Sequence, residues 1–339
     1  MFGSGNCLFE NNIEIFFKFV RKKEPNIKLF FVTNKMEVLY PELEGIDTLL
    51  KGSVKSYFYA FLSEVLVFDT GNSDICPGFL DICSAVKVNV NHGQEGLKIL
   101  PSNYYKHVHA DIHCAVSEFE KNIKISRCGA KASTVFTLGQ PRYDSIFEQT
   151  YNKDHILMFF TWREGQQNLA IKEFKKTDYY LKIEEILTNK ELHNYLKNKS
   201  KKLFFKVHPM IKSKEVFYNL DVSEQIILLS ETENLTEVIR SSGVLITDYS
   251  SVAWDYIYNN RSVITYPFDY EKYSVSPGLY INVKEESVFN SVDSADSILS
   301  MLDYISGNTI NINKSEKFFE FDDKNNCERI YNEIIDRLN

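Results

Sequence analysis

The residue types that could do chemistry are gathered in a few short polar clusters, each placed directly after an apolar, β-branched run. His92 stands in Asn91-His92-Gly93-Gln94 behind the run at 86–90, and an imidazole titrates near enough to neutral pH to act as a general base. The glycine that follows lets the chain turn sharply and bring the ring close to a ligand. In Lys206-Val207-His208-Pro209, strand alternation puts a cation and an imidazole on one face, where they suit a diphosphate oxygen, and Pro209 ends the strand there. Arg163 in Thr161-Trp162-Arg163 and Arg142 in Gly139-Gln140-Pro141-Arg142 also follow strands, and a guanidinium can grip phosphate through two parallel N–H groups. Such residues also serve as surface ion pairs, solvated lysines or histidines satisfied by backbone carbonyls, so their meaning depends on the elements that hold them.

The element that organises the others is the stretch 243–257. Val244 to Ile246 suit a buried strand; Asp248, Ser250 and Ser251 offer the groups that start a helix; Val252, Tyr256 and Ile257 recur at helical spacing. A strand–turn–helix unit of this kind puts its turn at the carboxyl edge of an α/β sheet, where backbone N–H groups, the helix dipole and two hydroxyls favour a phosphate. Alternatively the serines only cap the helix. Around this unit the pattern predicts strands near 27–32, 65–68, 86–90, 112–116 and 135–138, with helices from Asn11 or Asn12 and over 54–62. The first helix, with Ile13, Phe16, Phe17 and Val20 on one face and Lys18, Arg21, Lys22 and Lys23 nearby, reads as a helix packed on its own domain rather than one lying on an anionic membrane. A polar stretch at Asn152-Lys153-Asp154 marks a domain junction, after which strands are expected at 156–160, 203–207, 226–229 and 262–266. One long helical region is expected over 169–198, and further helices near 294–306 and 325–338. Alternating strands and helices imply parallel sheets, here as two Rossmann-like α/β domains, 1–150 and 151–339, facing each other across a cleft, with the last helix free to pack back on the first domain.

Composition removes several function classes. A net charge of −7 argues against nucleic-acid binding by bulk charge. Six scattered cysteines without a close CxxC pair indicate free thiols in a reducing cytoplasm. No apolar run approaches the roughly 18 residues of a membrane span, so the expectation is a cytoplasmic protein, at most peripheral on the inner face of the membrane. Gly3-Ser4-Gly5-Asn6 is read as lacking the strand that a dinucleotide fingerprint needs, and no phosphate-binding GxxxxGK[ST] loop, HExxH or GxSxG is present. His107, His109 and His113 lack acidic or cysteine partners at metal-ligand spacing, so no metal site is expected.

Taken in order, these clusters resemble the CDP-glycerol glycerophosphotransferase family of teichoic acid and capsule synthesis. Asn91-His92-Gly93 with Lys98 is similar to the family's Trp-His-Gly…Lys segment, Gly139–Asp144 to its Gly-x-Pro-Arg-x-Asp, Phe160–Arg163 to its Pro-Thr-x-Arg, and Lys206–Pro209 to its Lys-x-His-Pro. Thr247-Asp248-Tyr249-Ser250-Ser251 with Arg261, Tyr266, Asp269 and Tyr273 resembles its most specific signature, and the segment 321–329 its closing one. The resemblance implies a GT-B fold, an acceptor-side N-terminal domain and a C-terminal domain holding a nucleotide-activated polyol donor. It implies that His92 is the catalytic base and that Arg163, His208, Ser250 and Ser251 hold the diphosphate and stabilise charge. Lys206, Thr247, Asp248, Arg142 and Asp269 are the further donor-side candidates. The acceptor would be a polymer, oligosaccharide or lipid-linked hydroxyl, and no metal or other cofactor is required. Asn91 stands where the family has tryptophan, Phe160 where it has proline, and Trp162 follows the threonine. These departures leave glycerol, ribitol or another activated group open. A glycosyltransferase using a UDP- or CMP-sugar is the alternative enzyme, and an inactive assembly subunit the alternative without catalysis.

Overall fold

The computed structural model describes residues 1–34, 45–78, 83–146, 150–230, 233, 235–308 and 316–339. Among these residues the chain forms two parallel sheets, of seven and six strands. The first holds β1 (Phe2–Gly3), β2 (Phe31–Thr33), β3 (Thr48–Leu50), β4 (Val65–Phe68), β5 (Val86–Asn89), β6 (Ile112–Ala115) and β7 (Val135–Thr137), in the spatial order β3-β2-β1-β4-β5-β6-β7. The second holds β8 (Asn152–Phe159), β9 (Lys202–Lys206), β10 (Ile226–Leu228), β11 (Ser242–Thr247), β12 (Ser262–Thr265) and β13 (Asn290–Ser291), in the order β10-β9-β8-β11-β12-β13. Each sheet is therefore doubly wound and reverses direction once, between β1 and β4 and between β8 and β11. The loops diverge at the carboxyl ends of those strands, and ligands bind there. One compact unit comprises Met1–Glu95, Leu100–Glu148 and Ser315–Asn339, the other Gly96–Ile99 and Gln149–Lys314, so the chain crosses the boundary that the sequence places at residue 150.

Most strands form where β-branched runs are fully buried: Val67, Val88 and Ile112 pack on one face of the first sheet with Phe16, Phe17 and Ile330, while Val32, Leu66 and Phe68 pack on the other. The helix Asn11–Lys23 buries Ile13, Phe16, Phe17 and Val20, so its apolar face is spent on the domain core. In the second unit Ile156, Met158, Leu203, Phe205, Ile246 and Ile264 share a core with Ile183, Leu196 and Ile298.

Two expectations are corrected and a third is located more closely. Gly3-Ser4-Gly5-Asn6 does follow a strand: β1 has only two residues, too few to leave a periodic pattern, yet it is central in its sheet. A Cβ on Gly3 would lie 2.6 Å from the Asp74 carbonyl, so the close passage after β4 requires glycine. Asn152-Lys153-Asp154 forms the exposed first part of β8, just after the division between the two units at Glu148 and Gln149. The region 169–198 is broken into Ile171–Phe174, Asp178–Leu187 and Lys190–Asn198, because the Thr177 and Asn189 side chains accept N–H groups of the next turn and start new helices.

The closing segment is fixed to the first unit by a carboxylate. Asp144 accepts the backbone N–H of Asn326 (2.9 Å) and Cys327 (2.7 Å) and the Asn326 side-chain amide (2.6 Å), at the start of the helix Asn326–Leu338. Gly139, at φ 83°, passes so close to Asn326 that a Cβ would sit 1.7 Å from its Oδ1. The glycine and aspartate of Gly139-Gln-Pro-Arg-Tyr-Asp144 thus have structural duties.

Candidate active site

In the first unit the loop after β5 carries His92. Asn91 adopts the left-handed conformation (φ 61°), which asparagine tolerates better than most residues, and is buried. Its N–H donates to Asn89 Oδ1 (2.9 Å), its amide donates to the Cys114 carbonyl (2.7 Å), and its carbonyl accepts Asn12 Nδ2 (2.7 Å). Beyond the histidine, Gln94 donates to the Phe318 carbonyl (2.9 Å) and accepts the Tyr143 hydroxyl (2.8 Å). Arg142 donates to the His92 carbonyl at 3.2 Å and receives its own backbone bond from Asn12 Oδ1, which accepts the Arg142 N–H at 2.9 Å. The backbone on both sides of His92 is held, while its side chain is 62% exposed.

Beneath the ring lies Asp69, the residue after β4, with a side chain only 5% exposed. Its Oδ2 is 3.4 Å from His92 Nδ1, a long contact of the kind that tightens when substrate binds. It also accepts the Ser4 hydroxyl (2.9 Å) and, through Oδ1, the Gly5 N–H (2.9 Å). A carboxylate against Nδ1 keeps the proton there and leaves the lone pair on Nε2, the arrangement of a general base oriented by an acid. The hydrogen bond to Asp69 raises the His92 pKa above the ordinary imidazole value against the opposing effect of burial, and Arg142 tempers the rise. Burial alone would raise Asp69, but His92 and the Gly5 and Ser4 donors outweigh it and hold the carboxyl below its usual value. Asp74 moves the other way, to about 6, through burial and the charge of Asp69. Asp69 directly follows the strand that the sequence predicts at 65–68 and is not among the sequence's candidate residues. The available signal was an acid directly after the strand that pairs with β5.

In the second unit the switch between β8 and β11 is stitched by Asp248. Its Oδ1 accepts the Thr161 N–H (2.8 Å) and its Oδ2 lies 2.8 Å from Arg163 Nη1. Thr247 is spent on the same join, donating to the Phe159 carbonyl at 2.6 Å. Arg163 is buried and also donates to the Thr161 carbonyl (2.5 Å) and, by a two-pronged contact, to Asp269 (2.6 and 2.9 Å). Phe268, Tyr249 and Tyr273 surround the guanidinium at 4.8–5.3 Å, and the two tyrosine rings stack at 3.9 Å. Burial opposes the charge on Arg163, but Asp248 and Asp269 outweigh it and raise its pKa. The charge expected to hold a donor diphosphate is therefore met in this structure by two protein carboxylates. A groove of about 370 Å³ opens beside it, lined in part by Gln166, Tyr179, Asp269, Lys272 and Tyr273.

Lys206 is also committed. Its Nζ donates to the carbonyls of Ser230 and Glu233, because its strand end runs beside β10. His208 behaves differently. Its Nδ1 accepts the Met210 N–H (3.2 Å), which assigns the ring proton to Nε2. Burial, helped by Lys98, pulls its pKa down to about 4, so it is a neutral donor at physiological pH. Its ring stacks on Phe159, with centroids 5.6 Å apart. At the turn after β11, Ser250 accepts the Val252 N–H only at 3.4 Å, and Ser251, which is exposed, makes no side-chain bond to the helix Val252–Tyr258. Capping does not consume these hydroxyls. The second unit thus assembles Arg163, Asp248, Asp269 and Thr247 into one buried framework, with His208, Ser250 and Ser251 left as donors. Asp69 and Lys98 join the candidates.

Comparison with known proteins bears on the family and the fold. Residues 3–336 match the family model described as CDP-Glycerol:Poly(glycerophosphate) glycerophosphotransferase. The chain is 23% identical over 356 residues to the minor teichoic acid biosynthesis protein GgaB of Bacillus subtilis (strain 168), covering 96% of this chain and 38% of that protein. It is 24% identical over 233 residues to the teichoic acid ribitol-phosphate polymerase TarK of Staphylococcus aureus (strain NCTC 8325 / PS 47), covering 62% of this chain and 42% of that protein. The chain thus spans about two fifths of the length of these curated relatives. Among solved structures, the wall teichoic acid polymerase TagF shares the fold with a TM-score of 0.74 at 17% identity, over 99% of this chain and 88% of that one. A putative UDP-N-acetylglucosamine 2-epimerase from Listeria monocytogenes gives 0.61 at 14% identity, over 99% and 95%. The fold is the two-domain GT-B type expected from the sequence.

The Arg163 framework makes a direct prediction. Arg163→Met leaves Asp248 and Asp269 buried without a counter-charge and should destabilise the second unit by about 3–5 kcal/mol. Adding Asp269→Asn should recover part of that loss. Both tryptophans, Trp162 and Trp254, lie in the second unit, so urea denaturation followed by tryptophan fluorescence reads it selectively. A loss under about 1 kcal/mol would mean that the pairs hold nothing together.

Proposed function

We propose, on the premise that this chain belongs to the CDP-glycerol:poly(glycerophosphate) glycerophosphotransferase family, that it transfers a polyol phosphate from a CDP-activated donor such as CDP-glycerol to an acceptor hydroxyl, releasing CMP. The process served is the building of a teichoic-acid-like or capsule polymer, with a polymer, oligosaccharide or lipid-linked acceptor. The observation that carries this reading is the Asp69–His92 pair, an exposed imidazole whose Nδ1 faces a buried carboxylate. His92 Nε2 takes the proton of the acceptor hydroxyl. The oxygen so freed bonds to the β-phosphorus, the bond from that phosphorus to the bridging oxygen breaks, and CMP departs with the electron pair. In the second unit the Ser250 and Ser251 hydroxyls and the His208 Nε2–H supply donors to the diphosphate, and Arg163, Asp248, Asp269 and Thr247 keep them in position. Lys206 braces β9, and Arg142 supports the His92 backbone. On this reading the reaction needs no metal or other cofactor, and activity should survive exhaustive chelation.

CMP release is the test, measured with CDP-glycerol, CDP-ribitol, UDP-sugars and CMP-sugars for the native chain and His92→Ala. Release from one CDP-polyol, reduced at least about 10²-fold by His92→Ala, supports the transfer and its base and selects the polyol. Turnover of a nucleotide sugar alone would replace this reading with glycosyl transfer.

We further propose peripheral attachment at the cytoplasmic face of a membrane. Among the described residues no helix is long and apolar enough to cross a bilayer. The helix Val54–Leu62, however, leaves Val54 86%, Phe58 58%, Phe61 58% and Leu62 59% exposed, with Lys51 and Lys55 close by in the chain. An apolar face beside lysines suits the headgroup region of an anionic bilayer. The chain should co-sediment with phosphatidylglycerol-containing vesicles, less so at high salt, and Phe58→Ser/Phe61→Ser should abolish it. Equal binding by the variant would remove this helix from the account.

A further inference from the structure

A CDP-linked donor brings two negatively charged phosphates, and the cations of the second unit around the Arg163 framework and its groove are already engaged. Arg163 is met by Asp248 and Asp269, Lys206 by the Ser230 and Glu233 carbonyls, and Lys272 by Asp178 at 2.7 Å, while His208 is neutral. Lys98 differs. It lies on Gly96–Ile99, the short segment that belongs to the second unit although both flanking stretches belong to the first. An antiparallel bridge to Leu279 fixes it there, with Ile99 N–H donating to the Gly278 carbonyl (3.0 Å) and Tyr280 N–H to the Leu97 carbonyl (2.8 Å). The ammonium sits 5.9 Å over the Trp162 ring, and Trp162 in turn lies 6.3 Å from the His208 ring. Among the described residues Lys98 has no carboxylate within ion-pair distance and no hydrogen-bonded acceptor. Burial pulls its pKa down, opposed by the more distant Glu164, and its charge helps to keep His208 neutral. A half-buried ammonium held by backbone bonds and an aromatic face, without a counter-ion, is a site that an anion would complete.

We propose that Lys98 is a direct ligand of the donor diphosphate, gripping it beside the His208 Nε2–H and supplying the positive charge that Arg163 spends on the protein. The proposal rests on the phosphotransfer reading above and assigns the countercharge of the same site. It also gives the segment 92–98 two tasks, since only five residues separate the base from this cation.

The experiment is calorimetric titration of the full chain with CDP and with CMP, for the native protein, Lys98→Met and Lys98→Arg, alongside turnover of CDP-polyols. A charge-assisted contact to the second phosphate should make Lys98→Met lose roughly ten- to hundredfold in CDP affinity while CMP changes little, with Lys98→Arg keeping most of the native CDP preference. Because the ratio of the two affinities is read within one variant, a change in the folded fraction does not imitate the effect. Should Lys98→Met fail to fold, Lys98→Gln provides the same ratio. A native CDP-to-CMP ratio in the neutral variants would overturn the proposal. Lys98-dependent CDP binding without turnover of any CDP-polyol would leave the diphosphate ligand standing and sink the transfer reaction, whereas a native chain that binds neither nucleotide would sink both.

Discussion

An aspartate at the carboxyl end of the fourth strand of each sheet is the constraint on which the candidate residues of each unit depend. Where a doubly wound sheet reverses direction, the loops after two neighbouring strands part, and their backbone N–H groups lose partners that the sheet would have supplied. Asp69 accepts the Gly5 N–H of the loop after β1, and Asp248 accepts the Thr161 N–H of the loop after β8. The same residue type thus closes the same gap twice. What differs is the group on the remaining oxygen: an imidazole in the first unit and a guanidinium in the second. From one structural solution come an oriented imidazole and a rigid scaffold.

The two candidate histidines, one in each unit, have pKa values displaced in opposite directions by their surroundings. His92 is exposed, rests on a carboxylate and is raised; His208 is half-buried near a lysine and falls to about 4. Their tautomers are opposed as well, with the proton on Nδ1 facing Asp69 in one and on Nε2, opposite the Met210 N–H, in the other. Environments that separate like groups in this way divide acid and base roles between them. In the proposed transfer a base is needed only for the acceptor proton, and a neutral donor would be the less disruptive companion for a diphosphate whose charge Lys98 balances.

Much of this was legible in the sequence. The strand–turn–helix at 243–257 was readable because Val244 to Ile246 are apolar and the helix start is polar, and it forms β11 and Val252–Tyr258. His92 was readable because a polar histidine–glycine pair follows a β-branched run. What stayed hidden were the partners. Arg163 meets Asp269 across 106 residues, and His92 meets Asp69 across 23 through the pairing of β4 with β5, so neither contact leaves a local trace. Lys206 reads as a phosphate ligand only until β10 brings the Ser230 carbonyl beside it. Lys98 is the converse: in the sequence it has a place in a family-like segment but no role, and the bridge to Leu279 is what sets its surroundings.

The most direct test of this account is a proton NMR titration of the imidazoles in the full chain, native and Asp69→Asn, with nitrogen-15 shifts to read the tautomers. The account predicts that His208 stays neutral below pH 5 with its proton on Nε2, that His92 titrates above the ordinary imidazole value, and that Asp69→Asn lowers His92 while leaving His208 in place. A His208 that protonates at or above the pH where His92 does, or a His92 indifferent to Asp69→Asn, would contradict it.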